Sequence, residues 1–322
     1  MNPLRYEVSD TRRRLSGTRQ QRGSQTGFSS VGACLLGLVF AAAGTYIILV
    51  GTKMLPVNPA TVHAPYWIVT AMGTVFVAPA IWIWTLAWRQ HTANRRNQEA
   101  ARHHPNEPAL ADYPWNPRGY QPQRWRKATG RVTVALLLTL FLSAFNYFAF
   151  EPQSPWPLKA FIALFDLIAV VIWCVAALAV GRAIKFGGSQ IAFTSFPYRL
   201  GKPIVIRWEP ASGIGKANKG SFTLRCIEEW YETTGTGKDR SRQIVHEEIW
   251  SGTWRLDQPR DFQSGQKVDF SFAAPADLHS TTLSADRPIL WEFEVKLDLP
   301  GLDFDETYLV PIYGRVGEKI EA

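Results

Sequence analysis

The stretch Ala160–Val180 reads AFIALFDLIAVVIWCVAALAV, an apolar run interrupted by one acid, Asp166. About 20 such residues, wound as a helix, cross roughly 30 Å of hydrocarbon. Three more runs of this kind precede it, at about 31–51, 66–88 and 132–150. None of the four holds Lys or Arg inside. Four runs of this length with polar flanks predict a four-helix membrane bundle rather than the core of a large soluble protein. The chain-wide mean hydropathy, -0.09, conceals this because the second half is polar.

Charge divides the chain in the same place. Residues 1–185 hold 19 Lys and Arg against 7 Asp and Glu, while residues 186–322 hold 16 against 20. A basic surface running the length of the chain is therefore excluded, and no nucleic-acid partner is expected. Arg5, Arg12, Arg13, Arg14, Arg19 and Arg22 precede the first run. Arg89, Arg95, Arg96, Arg102, Arg118, Arg124, Arg126 and Lys127 lie between the second and third. The loop 52–65 holds only Lys53, and the loop 151–158 holds none. Positive charge collects on the cytoplasmic side of spans. Both termini are thus expected in the cytoplasm, and the even number of spans requires the same. Tyr66, Trp67 and Trp156 then fall at the outer boundary and Trp88 and Trp125 at the inner one, the depth that amphipathic rings prefer.

This reading gives three regions: a basic cytoplasmic N-terminal segment 1–30, a helical region 31–185 with a Pro-rich cytoplasmic loop 89–130, and a sheet domain 186–322. Arg12-Arg13-Arg14 resembles a twin-arginine signal, but the apolar run starts well downstream, so an Arg-rich anchor on the inner leaflet is expected instead. In the first span Ala33, Gly37, Ala41 and Thr45 recur every four residues. Small residues at this spacing suit close helix packing, within the bundle or in a homo-oligomer through this span. Asp166, with Asn146 as polar company, is the candidate intramembrane polar site, since an ionisable group at that depth is costly. Pro79 predicts a kink in the second span. The aromatics Tyr113, Trp115, Tyr120 and Trp125 of the Pro-rich loop read as a bilayer-surface feature, and His103-His104 as a solvated pair.

Beyond Gly187-Gly188 the periodicity becomes two. Trp291, Phe293, Val295, Leu297 and Leu299 alternate with Glu292, Glu294, Lys296 and Asp298, the pattern of a strand with one buried and one wet face. Val268–Phe272 and Phe222–Cys226 alternate likewise. Gln190–Phe196, Ile204–Trp208, Gln243–Leu256 and Glu306–Tyr313 are further strands. About seven strands in this length predict an all-β, immunoglobulin-like sandwich.

Motifs for chemistry are nearly absent. Gly213-Ile214-Gly215-Lys216 and Gly235-Thr236-Gly237-Lys238 lack the spacing of a phosphate loop and read as hairpin turns. His246-Glu247-Glu248 has no second His and falls in a strand, with His246 and Glu248 on one face and Glu247 on the other. Cys34, Cys174 and Cys226 form no framework. No catalytic, cofactor-binding or metal-ligating residue is assigned, no cofactor is expected, and the chain reads as non-enzymatic. Glu228, Glu229, Trp230, Trp250 and Trp254 flank one acidic hairpin and form the candidate partner contact, although Trp is equally a core residue.

The runs Val268-Asp269-Phe270-Ser271-Phe272-Ala273-Ala274-Pro275, Pro288–Leu299 and Val310-Pro311-Ile312-Tyr313 resemble the closing half of an arrestin-type domain. Leu224-Arg225-Cys226 is similar to that family's middle hairpin and Ile191–Trp208 to its first. Only one such lobe fits here, where arrestins have two. A single lobe behind four spans also resembles bacterial DUF3592-type membrane proteins. The resemblance implies a protein-binding adaptor or scaffold at the bacterial inner membrane, with the lipid bilayer and a protein as partners, and carries over no active-site residue. The alternatives are a small transporter or channel component using Asp166, or a membrane immunity or accessory protein.

Overall fold

The computed structural model describes residues 4–16, 30–58, 62, 64–103, 109, 112–234, 241–263, 265–285 and 287–315. The chain forms two compact units, one helical and one rich in sheet.

The helical unit draws on α1 (Ser30–Gly51), α2 (Tyr66–His103), α3 (Arg124–Ala149) and α4 (Trp156–Phe186). Each is long and apolar enough to cross a membrane. Only 11% of the α4 window is buried, so Leu164, Leu167, Val170, Val171 and Leu178 present bare apolar surface. A helix apolar on all sides suits a lipid or protein surround rather than water. The helix α2 continues through Pro79 to His103, fifteen residues past the expected end of its span at 88. Its extension, Arg-Gln-His-Thr-Ala-Asn-Arg-Arg-Asn-Gln-Glu-Ala-Ala-Arg-His, holds no Pro or Gly, and several of its residues are good helix formers. The Pro-rich segment therefore begins later than the loop 89–130 anticipated.

Helices α1 and α2 meet through glycine. A Cβ on Gly44 would lie 2.8 Å from the Gly73 carbonyl oxygen, and one on Gly73 2.8 Å from that of Gly44. Gly37 faces Trp84, whose indole N–H donates to the Cys34 carbonyl at 3.3 Å. The contact stripe runs Gly37, Gly44, Gly51, all buried, because seven residues make two turns. This corrects the four-residue stripe. Gly37 belongs to it, but Thr45 is exposed and Ala41 half-buried, while the side chain of Ala33 lies outside the described residues. Between α3 and α4, the Asn146 amide donates to the Asp166 carboxylate at 2.8 Å, and the Trp173 indole donates to Thr139 Oγ1 at 2.9 Å.

The sheet unit has two principal sheets. In the larger, β1 (Leu4–Ser9), β9 (Ser241–Leu256), β8 (Lys219–Thr234), β12 (Ile289–Asp298) and β13 (Phe304–Leu309) lie in that order, all antiparallel, and β2 (Arg13–Arg14) also pairs with β9. The second orders β11 (Val268–Phe272), β6 (Ile204–Glu209), β4 (Gln190–Phe193) and β3 (Gly119–Tyr120), again antiparallel. Two short pairs complete the unit: β7 (Gly215–Ala217) with β10 (Arg260–Phe262), and β5 (Tyr198–Leu200) with β14 (Ile312–Arg315). Gly215 has φ +58°, a turn conformation glycine adopts without strain. The turn 235–240 lies outside the described residues.

The sheets share one apolar core. Phe222 of β8 stacks on Phe270 of β11 at 4.2 Å, and Phe293 of β12 lies 5.8 Å from Phe270. Trp208 packs on Phe222 and Phe262, and its indole N–H donates to Ser189 Oγ at 3.2 Å. The alternating apolar residues of β6, β8, β11 and β12 all point inward, as their period-two pattern requires.

Three separate chain segments build this unit: residues 1–25, 96–123 and 184–322. The expected boundaries are corrected accordingly. The N-terminal segment is not only a basic anchor, since Leu4–Ser9 forms a strand across its whole length. The Pro-rich segment likewise supplies β3.

Candidate functional site

The expected wet face of β12 is covered over its first half, while Lys296 and Asp298 stay exposed. Glu292 and Glu294 are 4% and 7% exposed. They lie with Arg225 of β8 and Glu248 of β9 on the face of the larger sheet opposite the core. Arg225 is itself 4% exposed, and its guanidinium reaches all three carboxylates. Its Nε donates to Glu292 at 2.7 Å, one terminal nitrogen meets Glu294, and the other lies 3.7 Å from Glu248. Arg13 donates to Glu248 at 2.9 Å, and Lys296 lies 3.0 Å from Glu294. Charges buried at this depth persist only when paired.

Alternation alone therefore does not decide whether these carboxylates meet water. A carboxylate every second residue signals solvent only if no cation lies on the neighbouring strand. Arg225 stands directly opposite Glu292 in the β8–β12 register, 67 residues away in sequence. Burial by itself would raise the Glu294 carboxyl, but Arg225 and Lys296 overcome it and hold the group below its usual range. A carboxylate lowered in the folded state contributes stability above its unfolded value of about 4.5 and loses it as the pH falls further. Unfolding midpoints measured from pH 6 to pH 3 should therefore drop on the acid side, and Glu294→Gln should shallow that limb. Equal slopes in the two proteins would count against this pairing.

One edge of the strand Gln243–Leu256 is occupied by the N-terminal segment. Strand β1 pairs along it from Leu4↔Leu256 to Ser9↔Ser251, and the Leu15 amide donates to the His246 carbonyl at 2.9 Å. Three ion pairs fasten the same segment: Arg12 to Glu247 (3.7 Å), Arg13 to Glu248 (2.9 Å) and Arg14 to Glu232 (3.1 Å). Arg255 holds Glu7 at 2.7 Å, and Tyr6 lies over Trp254 at 4.8 Å.

The residues of the candidate partner contact therefore separate. Trp250 is 1% exposed and packs on Trp291 within the core. Glu229 is buried against His246 at 2.9 Å. Neither can meet a partner in this fold. Trp254 is half-buried beneath Tyr6, its indole donating to the Ser271 carbonyl at 3.0 Å. Glu228 and Trp230 stay together, both half-buried. Arg287 lies 3.5 Å from the first and 4.9 Å over the ring of the second, a cation–π arrangement. As the strand period anticipates, His246 and Glu248 share a buried face from which Glu247 points away. Burial, then the nearby Glu228, pushes the Cys226 thiol up to about 12.

A second buried node escaped sequence reading. Asp112, from the Pro-rich segment, accepts the backbone N–H groups of Leu283 (2.7 Å) and Ser284 (2.6 Å) and the hydroxyl of Tyr313 (3.0 Å). Trp115 donates to the same Tyr313 oxygen at 3.1 Å. Burial and the Asp112 charge hold the Tyr313 phenol protonated above its ordinary range. No local signal marks Asp112, because its partners lie about 170 to 200 residues away. Asp112→Ala should cost about 3 kcal/mol of stability, since it leaves the buried Leu283 N–H and Tyr313 hydroxyl without their acceptor. A denaturant midpoint unchanged from wild type would refute the assignment.

Among the described residues no cluster of three or more His, Cys, Asp or Glu could hold a metal ion. No family model matches the chain, and no curated protein matches it. Among solved structures, that of Spo0M, a sporulation control protein from Bacillus subtilis, is similar at 14% identity with a TM-score of 0.26. The likeness covers 38% of this chain and 48% of Spo0M, about half that protein's length.

Proposed function

We propose that the chain is a multi-pass protein of the bacterial inner membrane whose four helices anchor an arrestin-like, DUF3592-type sheet domain in the cytoplasm, where it serves as a non-enzymatic adaptor. One observation carries the topology. Residues before α1, between α2 and α3, and after α4 build a single folded unit. Helices that cross a bilayer an even number of times between these segments leave all three on one side. That is also the side on which the Arg residues collect. The bare apolar surface of α4 supports a lipid surround.

The partner surface of this proposal is narrower than the hairpin read from sequence. It is centred on Glu228, Trp230 and Arg287, since Trp and Arg dominate interface energetics when they can become buried. The Asn146–Asp166 bond supports a packing role for that pair, so the transport reading is not advanced. Two experiments test the proposal in the full chain. Single cysteines at Glu151 and Asp257 are probed on spheroplasts with a membrane-impermeant thiol reagent. Labelling is expected only at 151 before permeabilisation and at both afterwards, and labelling at 257 in intact cells would overturn the topology. A photoreactive side chain in place of Trp230 should yield one discrete protein adduct that Arg287→Glu abolishes. An adduct pattern indifferent to Arg287→Glu would reject the surface.

A further inference from the structure

The outer face of the larger sheet contains a cleft of about 360 Å³, within the range of small-molecule sites. Its floor follows from the register. Arg255, Ser221 and Lys296 lie side by side across β9, β8 and β12, and the next row is Thr253, Thr223 and Glu294. The N-terminal segment closes one side with Arg13 to Ser16. Five cations line the cleft against one carboxylate.

Three of these cations have their partners outside the cleft, while Arg225 and Lys296 pair with its own carboxylate, Glu294. Glu7 takes the Arg255 Nε, Glu232 takes both terminal nitrogens of Arg14, and Glu248 takes Arg13. An arginine carries five N–H donors and a lysine three, so these pairings leave donor capacity toward the cavity. Thr223 and Thr253 share a hydrogen bond at 3.0 Å, and each hydroxyl keeps acceptor or donor capacity beside it. Arg255 and Lys296 stand one strand to either side of Ser221, roughly 10 Å apart at the usual strand spacing. One compact polyanion can engage both.

The geometry points to a binding site for a small ligand carrying phosphate or diphosphate. Arg255 and Lys296 grip the charged oxygens, Ser221, Thr223 and Thr253 supply hydrogen bonds, and Arg14 closes the far wall. Charge-assisted contacts of this type are the strong ones, and Arg matches phosphate geometry with two donors at once. The site is distinct from the proposed partner surface at Trp230 and does not depend on it.

The test uses the full chain in detergent at constant ionic strength. Inorganic pyrophosphate and the soluble short-chain lipid dihexanoyl phosphatidic acid are titrated separately by calorimetry. At about ten times its dissociation constant, a true ligand should raise the unfolding midpoint by about 2–4 °C. Lys296→Glu should weaken binding at least about tenfold. Arg207→Glu makes the same charge change at the exposed Arg207–Asp269 pair of the other sheet and should leave affinity within about twofold. Lys296→Gln replaces Lys296→Glu if the latter loses the wild-type circular dichroism spectrum. Tighter binding of pyrophosphate assigns a soluble ligand, and tighter binding of the lipid assigns a headgroup. Either supports the site. Binding of neither probe, or equal weakening by Lys296→Glu and Arg207→Glu, would overturn it.

Discussion

Arg225→Met should lower the stability of the sheet unit by about 3–5 kcal/mol, the usual cost of removing one partner from a buried ion cluster. For a unit of this size that is a fall of about 10 °C in the unfolding midpoint. Size is not the cause, because Met fills much of the same volume. The loss comes from Glu248, Glu292 and Glu294, which would keep their negative charge in a covered layer with only Arg13 and Lys296 to answer it. A compensating variant separates charge from packing. Arg225→Met combined with Glu292→Gln and Glu294→Gln should recover most of the midpoint, because a neutral buried layer escapes the desolvation cost. Calorimetric scans of wild type, single and triple variants decide the matter. A triple variant as unstable as the single one would show that shape, not charge, sets the requirement for Arg225.

The second large effect concerns the edge of β9. Deleting residues 2–16 removes the six-residue β1 ladder, the Tyr6 ring from Trp254 and Phe272, and the Arg12–Arg14 ion pairs. Half-burying an aromatic ring of this kind is worth about 1 kcal/mol alone. The edge of β9 bared from Glu247 to Leu256 is also a template for self-pairing. The truncated chain should unfold earlier and form oligomers on size exclusion. A synthetic peptide of residues 1–16, supplied in trans, should bind it and restore the monomeric profile. A truncated chain that stays monomeric at the wild-type midpoint would mean that the strand adds nothing to the edge.

What the amino-acid order reveals here depends on distance along the chain. The four apolar helices were legible because each is a local pattern. The core strands were legible for the same reason: Phe270 and Phe293 announce their faces within a few residues. Even the donated strand leaves a trace, since Leu4, Tyr6 and Val8 alternate with Arg5, Glu7 and Ser9. The Arg residues that follow it suit a membrane surface equally well, so the alternation alone does not single out a strand. The seven-residue spacing of Gly37, Gly44 and Gly51 was equally present, but the four-residue series crossing it also satisfies a helix face. The covered ionic layer was not legible. Whether Glu292 meets water or Arg225 is decided by which strands become neighbours, and nothing near position 292 encodes that. Trp250 and Trp230 illustrate the same limit: both sit among acids in one hairpin, but Trp250 lies opposite Cys226 within the core, while Trp230 lies opposite Val245, outside that core cluster.

Because Glu7 is clasped by a residue 248 positions later, the order of synthesis matters. At about 5–20 residues per second, the first strand emerges on the order of ten seconds or more before its neighbour exists. Through that interval the ribosome must also deliver four apolar helices. The unit can close only once the C-terminal strands arrive, so a nascent chain is exposed to proteolysis and mispairing until late. A fragment begun at Phe186 would lack both its outermost strand and the carboxylate that fastens the loop at Leu283, and is the wrong reagent for biochemistry on this protein.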